Sequence, residues 1–77
     1  MSARFLVVDG VRLRHLRQGQ ALSLRDLTRR SGVAFDTISK LETGKRKAQP
    51  RTIRKLAEAL GVEPKDLMKG EEDGQAR

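Results

Sequence analysis

The sequence predicts an all-α domain, a compact bundle of five short helices, on three observations. Seventy-seven residues can close only one core, near the size at which apolar burial just offsets chain entropy. Aromatic residues are 3% of the chain, with no Trp and no Tyr. The core must then come from Leu, Ile, Val and Ala, which suit packed helices better than a sheet sandwich. Apolar residues also recur at three- and four-residue spacing between Gly and Pro breakpoints, the period of helices that bury one face.

Each element can be justified in order. Residues 1–8, MSARFLVV, form a short apolar arm without an identifiable strand partner. Asp9 can cap a first helix running to about Gln18, with Leu13 and Leu16 on one face and Arg12, Arg14 and Arg17 around them. Ser23 caps a second, with Asp26 three residues on as a shortened capping box; Leu24, Leu27 and Thr28 line its inner face up to Ser31. Gly32 stops it. After the tight turn Gly32-Val33-Ala34, a third helix runs from Phe35 to about Thr43, with Gly44 as its left-handed stop. Pro50 suits the first position of a fourth, where a missing N–H costs nothing, and Ile53, Leu56, Ala57 and Leu60 repeat before Gly61. Pro64 opens a short fifth helix with Leu67 and Met68, closed by Gly70. The domain thus covers residues 9–70, and the acidic tail 71–77, EEDGQAR, is expected to be disordered because it offers no apolar anchor.

Composition excludes whole classes of chemistry. With no Cys, disulfides, thiolate zinc sites and thiol nucleophiles are ruled out. His15 is the single histidine and sits among Arg12, Arg14 and Arg17, so neither a catalytic triad nor a metal site can be built around it. There is no Gly-rich phosphate loop. An enzyme is not expected, nor a cofactor or metal. The apolar run near the N-terminus is short and soon interrupted by Asp9, and no stretch approaches a membrane span, so the expected location is cytoplasmic, without a membrane partner. The formal charge is +7, and residues 71–77, with three acids and one Arg, leave +9 on the preceding seventy. From Lys40 to Lys55 seven Lys or Arg face one acid, Glu42. That local excess is the electrostatic footprint of a polyanion partner.

Two helices joined by a short turn with Gly first and an apolar residue next, Leu27-x-x-x-x-Gly32-Val33 followed by Ile38 and Leu41, make a helix-turn-helix pattern. Gly32 leaves the second helix with a positive φ, Thr28 is small enough to admit the third, and Val33 plugs the gap. With Leu22, Ser39, Leu41-Glu42-x-Gly44-Lys45 and Leu56-Ala57-x-Ala59-Leu60-Gly61-Val62, the chain resembles the DNA-binding domain of the phage-repressor and Cro-like family, the Xre-type regulators. The resemblance extends back to Leu13-x-x-Leu16-Arg17 and covers roughly residues 9–69. It implies a lambda-repressor-like fold with the third helix in the major groove, and a pairing of Arg17 with Glu42. A carboxylate near a helix C-terminus opposes the dipole, which independently asks for a cation beside Glu42. The chain departs from the family at Leu24, where Gln is common, at Ala21 in place of a turn Gly, and at Ala34 in place of a capping Ser.

At about 100° per residue from Phe35, Asp36, Ser39, Lys40 and Thr43 fall on one side of the third helix, while Thr37, Ile38 and Leu41 fall on the other, the core side. The resemblance assigns base contacts to Phe35, Asp36 and Lys40, with Ser39 nearby. Lys40 can donate to guanine, Phe35 can pack on a thymine methyl, and Asp36 can accept from a cytosine amino group. Each has a rival reading: Phe35 folded onto the bundle, Asp36 complementing the helix N-terminus or pairing with Lys40. Phosphate contacts are expected from Lys45, Lys47 and Arg51, from the backbone N–H groups of Thr43 and Gly44, and from Arg25 and Arg29 on the second helix. The resulting expectation is a sequence-specific, double-stranded DNA-binding transcriptional regulator acting as a homodimer. Candidate dimer surfaces are the fifth helix with Leu67 and Met68, or Phe5–Val8, which could equally cover its own core. Two alternatives bring in a protein partner. One is an antitoxin that autoregulates its operon while holding a toxin; the other is a protein-interaction adaptor, on the transcription machinery for instance, that keeps the fold and has lost DNA reading.

Overall fold

Local capping sets the helix boundaries. The Asp9 carboxylate accepts from the Arg12 N–H at 3.1 Å and starts α1, Gly10–Gly19. Ser23 and Asp26 cap each other: the Asp26 N–H donates to Ser23 Oγ at 3.0 Å, the Ser23 N–H to Asp26 Oδ2 at 2.8 Å, and α2 runs Leu24–Ser31. Gly32 closes α2 at φ +77°. Open space surrounds the place where a Cβ would sit there, so the requirement is conformational. α3 spans Phe35–Glu42, one residue short of expectation, and α4 spans Pro50–Leu60 with Pro50 in its first turn. The computed structural model describes residues 5–69. Residues 1–4 of the arm, the Gly70 stop and the acidic tail 71–77 lie outside the described residues.

One contiguous core unites these elements. Leu13 of α1, Leu27 of α2, Ile38 and Leu41 of α3, Ile53 and Leu56 of α4, and Leu67 are each under 2% exposed. Val33, 7% exposed, fills the gap at the α2–α3 turn. α4 lies against α2 and against the segment around Leu67, while α3 is held between α1 and α2. Among the described residues, no helix is long and apolar enough to cross a membrane.

Two features of the fold depart from expectation. The fifth helix is a single 3-10 turn, Pro64–Leu67, after which Met68 is extended. The class therefore stays all-α, with four α-helices among the described residues in place of five. The reason is tertiary. Leu67 drops into the core, and the backbone beyond it pairs with the N-terminal arm: the Asp9 N–H donates to Leu67 O at 2.8 Å and the Lys69 N–H to Val7 O at 3.0 Å. On its other side the arm exchanges bonds with Ala48, Leu6 N–H to Ala48 O at 2.7 Å and Ala48 N–H to Leu6 O at 3.0 Å. The arm thus has partners on both sides, through isolated bridges that no local pattern announces. Its two-residue alternation turns Leu6 and Val8 inward and leaves Phe5 and Val7 exposed. Leu67, fully buried, cannot serve as a dimer surface.

Candidate nucleic-acid interface

α3 is clamped at its C-terminal end. The Glu42 side chain is 2% exposed and receives two bonds from Arg17, Nε to Oε2 at 2.6 Å and Nη2 to Oε1 at 3.0 Å. Arg17 Nη1 donates to Leu22 O at 2.8 Å, so one guanidinium ties α1 to α3 and to the start of the α2 segment. Arg14 adds a looser contact, Nε to Oε1 at 3.5 Å. The Arg17 guanidinium is held above its ordinary pKa, chiefly by its hydrogen bonds to Glu42; burial opposes this and the Glu42 charge adds to it. It remains charged throughout the neutral range. Gly10 supplies the second half of the clamp. A Cβ there would stand 2.5 Å from the carbonyl oxygens of both Leu41 and Glu42. Only Gly lets the N-terminal end of α1 come so close to the C-terminal carbonyls of α3, where the two helix ends carry opposite partial charge.

With that side locked, the opposite side of α3 faces out. Phe35, Asp36 and Lys40 are exposed and Ser39 is half-buried. Phe35, 44% exposed, stays outside the apolar cluster, and the Arg25 guanidinium lies over its ring, 5.4 Å from the centroid. Asp36 Oδ2 and Lys40 Nζ are 3.1 Å apart, an exposed pair one helical turn apart. Such a pair contributes about 0.3 to 0.5 kcal/mol, so a base edge could displace it readily. Thr37 departs from the core-side assignment. It is half-buried, and its hydroxyl accepts from Arg46 Nη1 at 3.0 Å.

The phosphate candidates divide into two groups. Lys45, Lys47 and Arg51 are exposed around the α3–α4 loop, which Ala48, 3% exposed, anchors against the arm. Arg46 belongs with them. Its place in the Lys45-Arg46-Lys47 run is visible in the sequence, whereas its bond to Thr37 is a tertiary contact. Arg29 is engaged with Asp26 at 2.8 Å, and Arg25 with Phe35. The backbone assignment needs correction: the Thr43 N–H donates to Ser39 O at 3.2 Å and the Gly44 N–H to Leu41 O at 3.3 Å. The Thr43 hydroxyl also turns back, to Ser39 O at 3.1 Å. These groups satisfy the C-terminal carbonyls of α3 and are not offered outward.

Known proteins share this fold. The helix-turn-helix domain family matches residues 10–69. Two Bacillus subtilis proteins, the HTH-type transcriptional repressor RghR and the HTH-type transcriptional regulator RghRB, are each 45% identical over 60 residues, 77% of this chain. The match covers 44% of RghR and 43% of RghRB, so the chain spans less than half the length of the curated relatives it matches. The crystal structure of the restriction-modification controller protein C.AhdI from Aeromonas hydrophila superposes with a TM-score of 0.71 at 38% identity, over 74% of this chain and 86% of that one. Because the family match runs from the first residue of α1 through the Gly32–Val33 turn to the end of the described fold, the chain belongs to the helix-turn-helix domain family, in its phage-repressor-like, Xre-type branch.

Proposed function

We propose that this chain is a sequence-specific, double-stranded DNA-binding module of a cytoplasmic transcriptional regulator, with α3 lying in the major groove. The supporting observation is the two-sidedness of α3. Ile38, Leu41 and Glu42 are buried in the clamp, while Phe35, Asp36 and Lys40 are exposed beside the basic loop Lys45–Lys47. In this reading Lys40 donates to a guanine, Phe35 contacts a thymine methyl, and Asp36 with Ser39 completes the base-reading set. Lys45, Arg46, Lys47 and Arg51 meet phosphates on either side of the groove. The relatives named as a transcriptional regulator and a transcriptional repressor support the same role. Two copies acting as a homodimer on half-sites one helical turn apart would supply the affinity that one module of this size lacks.

Selection of bound duplexes from a random pool tests the reading, with an enriched palindrome as the expected result. On the selected duplex, Lys40→Ala should relax preference at one position at a cost of about 1 to 3 kcal/mol, and Lys47→Ala should weaken all sequences alike and reduce the salt slope by about 1. A flat, weak response of affinity to salt would reject groove binding and favour the adaptor reading. The self-satisfied Asp36–Lys40 pair is the feature that would support it.

A further inference from the structure

Phe35 sits at the first position of α3 and is 44% exposed, outside the buried core cluster, yet its ring is not left to sample rotamers unaided. Arg25, in the first turn of α2, reaches across the helix-turn-helix and places its guanidinium within cation–π range of the ring. The Arg25 backbone is itself fixed by the reciprocal Ser23–Asp26 cap. Among the described residues, no carboxylate pairs with Arg25, whereas Arg29 one turn on is paired with Asp26. One helix of the motif therefore holds an apolar group in place on the other, at the edge of the exposed face.

The major groove presents one apolar feature to such a ring, the methyl group on C5 of a pyrimidine. We propose that Arg25 and Phe35 act as one unit that reads a pyrimidine C5-methyl group, with Phe35 making the contact and Arg25 serving as the positioning residue that holds the ring. The inference rests on α3 being the groove helix. It moves Arg25 from the phosphate set to the specificity set. A ring already held in place loses less freedom on binding than a mobile one, so the methyl contact is retained in affinity. Thymine and 5-methylcytosine both carry this group.

The test uses the duplex obtained from the random-pool selection, with each thymine replaced in turn by uracil, which lacks only the methyl. The full chain should bind about fourfold more weakly at one position per half-site, the worth of one buried methyl. Phe35→Ala should bind thymine and uracil alike there. Arg25→Met should lose most of the discrimination while keeping the salt slope of the unaltered protein, and Arg25→Lys, which retains a cation, should regain part of it. Thermal unfolding of each variant separates lost contact from lost fold. Placing cytosine and then 5-methylcytosine at that position distinguishes the two sources of the methyl. A fourfold gain on methylation assigns both bases to the unit, and no gain assigns thymine alone. Equal affinity for thymine and uracil at every position would overturn the inference while leaving groove binding intact. So would an Arg25→Met variant that keeps the discrimination and lowers the slope by about 0.9, the signature of a phosphate contact. If no duplex is enriched, the groove reading itself falls, and this inference with it.

Discussion

Arg17→Met removes the cation from a carboxylate whose side chain is 2% exposed, while keeping most of the apolar stem that packs beside it. A buried ion left without its partner costs about 3 to 5 kcal/mol. Arg14 is half-exposed and already 3.5 Å from Glu42 Oε1, so it can move closer, which sets the expectation at the low end, about 3 kcal/mol. A domain of 77 residues has about 4 to 11 kcal/mol of stability in total. The variant should therefore lose at least about 12 °C in Tm, given about 4 to 8 °C per kcal/mol at this size. Glu42→Met, which strands Arg17 instead, should cost a similar amount. The double variant Arg17→Met/Glu42→Met leaves no bare charge in the core and should recover most of the loss, because well-packed apolar replacements for a buried pair are often neutral or better. Thermal and urea unfolding followed by circular dichroism give all three values. Single variants costing under about 1 kcal/mol would show that the pair behaves as a screened surface bridge. A double variant equal to the sum of the singles would show that the two residues are not coupled. Either result refutes the clamp.

Three further expectations concern single positions. Gly10→Ala drives a methyl into the backbone carbonyls of Leu41 and Glu42, which cannot swing aside as a side chain would, so a loss of about 1 to 3 kcal/mol is expected; an unchanged Tm would mean that α1 and α3 separate easily. Ala21 stands at φ +59°, a conformation costing a non-Gly residue about 1 to 2 kcal/mol. Ala21→Gly relieves that cost against about 0.4 to 1 kcal/mol of added unfolded-state freedom, so Tm should rise by a few degrees, and a fall would contradict the strain. The Asp26 carboxyl is held below the usual carboxylate range, first by the Ser23 N–H and then by the Ser23 hydroxyl. The folded state then binds fewer protons than the unfolded one. The contribution is complete above the unfolded value of about 4 and is lost as pH falls through the folded value. The stability gap between the parent and Asp26→Asn should accordingly narrow below about pH 4, and a gap that does not vary with pH would remove this account.

Much of the fold is readable from neighbours in sequence, because capping and helical periodicity act within a few residues. Asp9, the Ser23–Asp26 box, Gly32, Pro50 and Gly61 mark where helices start and stop through bonds or dihedral angles spanning at most four positions. Angular arithmetic likewise places Ile38 and Leu41 on the buried side of α3. It misplaces Thr37, because a residue at the margin of a face is decided by what approaches it, here Arg46 from the next loop. The outward N–H groups expected of Thr43 and Gly44 failed for a related reason: how the last turn of α3 closes depends on conformation, which residue type alone leaves open.

By itself, the sequence determined an all-helical scaffold with a Gly-hinged pair in it, though with a fifth helix too many, an excess of positive charge around Lys45–Lys47, and the absence of thiol chemistry. All of these are local or compositional properties. Contacts between residues far apart in the chain were settled by the tertiary structure. The arm bridges Ala48 on one side and Met68 on the other, and that pairing, with Leu67 buried, holds the last helix to one 3-10 turn. Gly10 meets the end of α3 across some thirty residues. Arg25 reaches Phe35. Burial and close approach are shared properties of two segments, and neither segment shows them until both are in place.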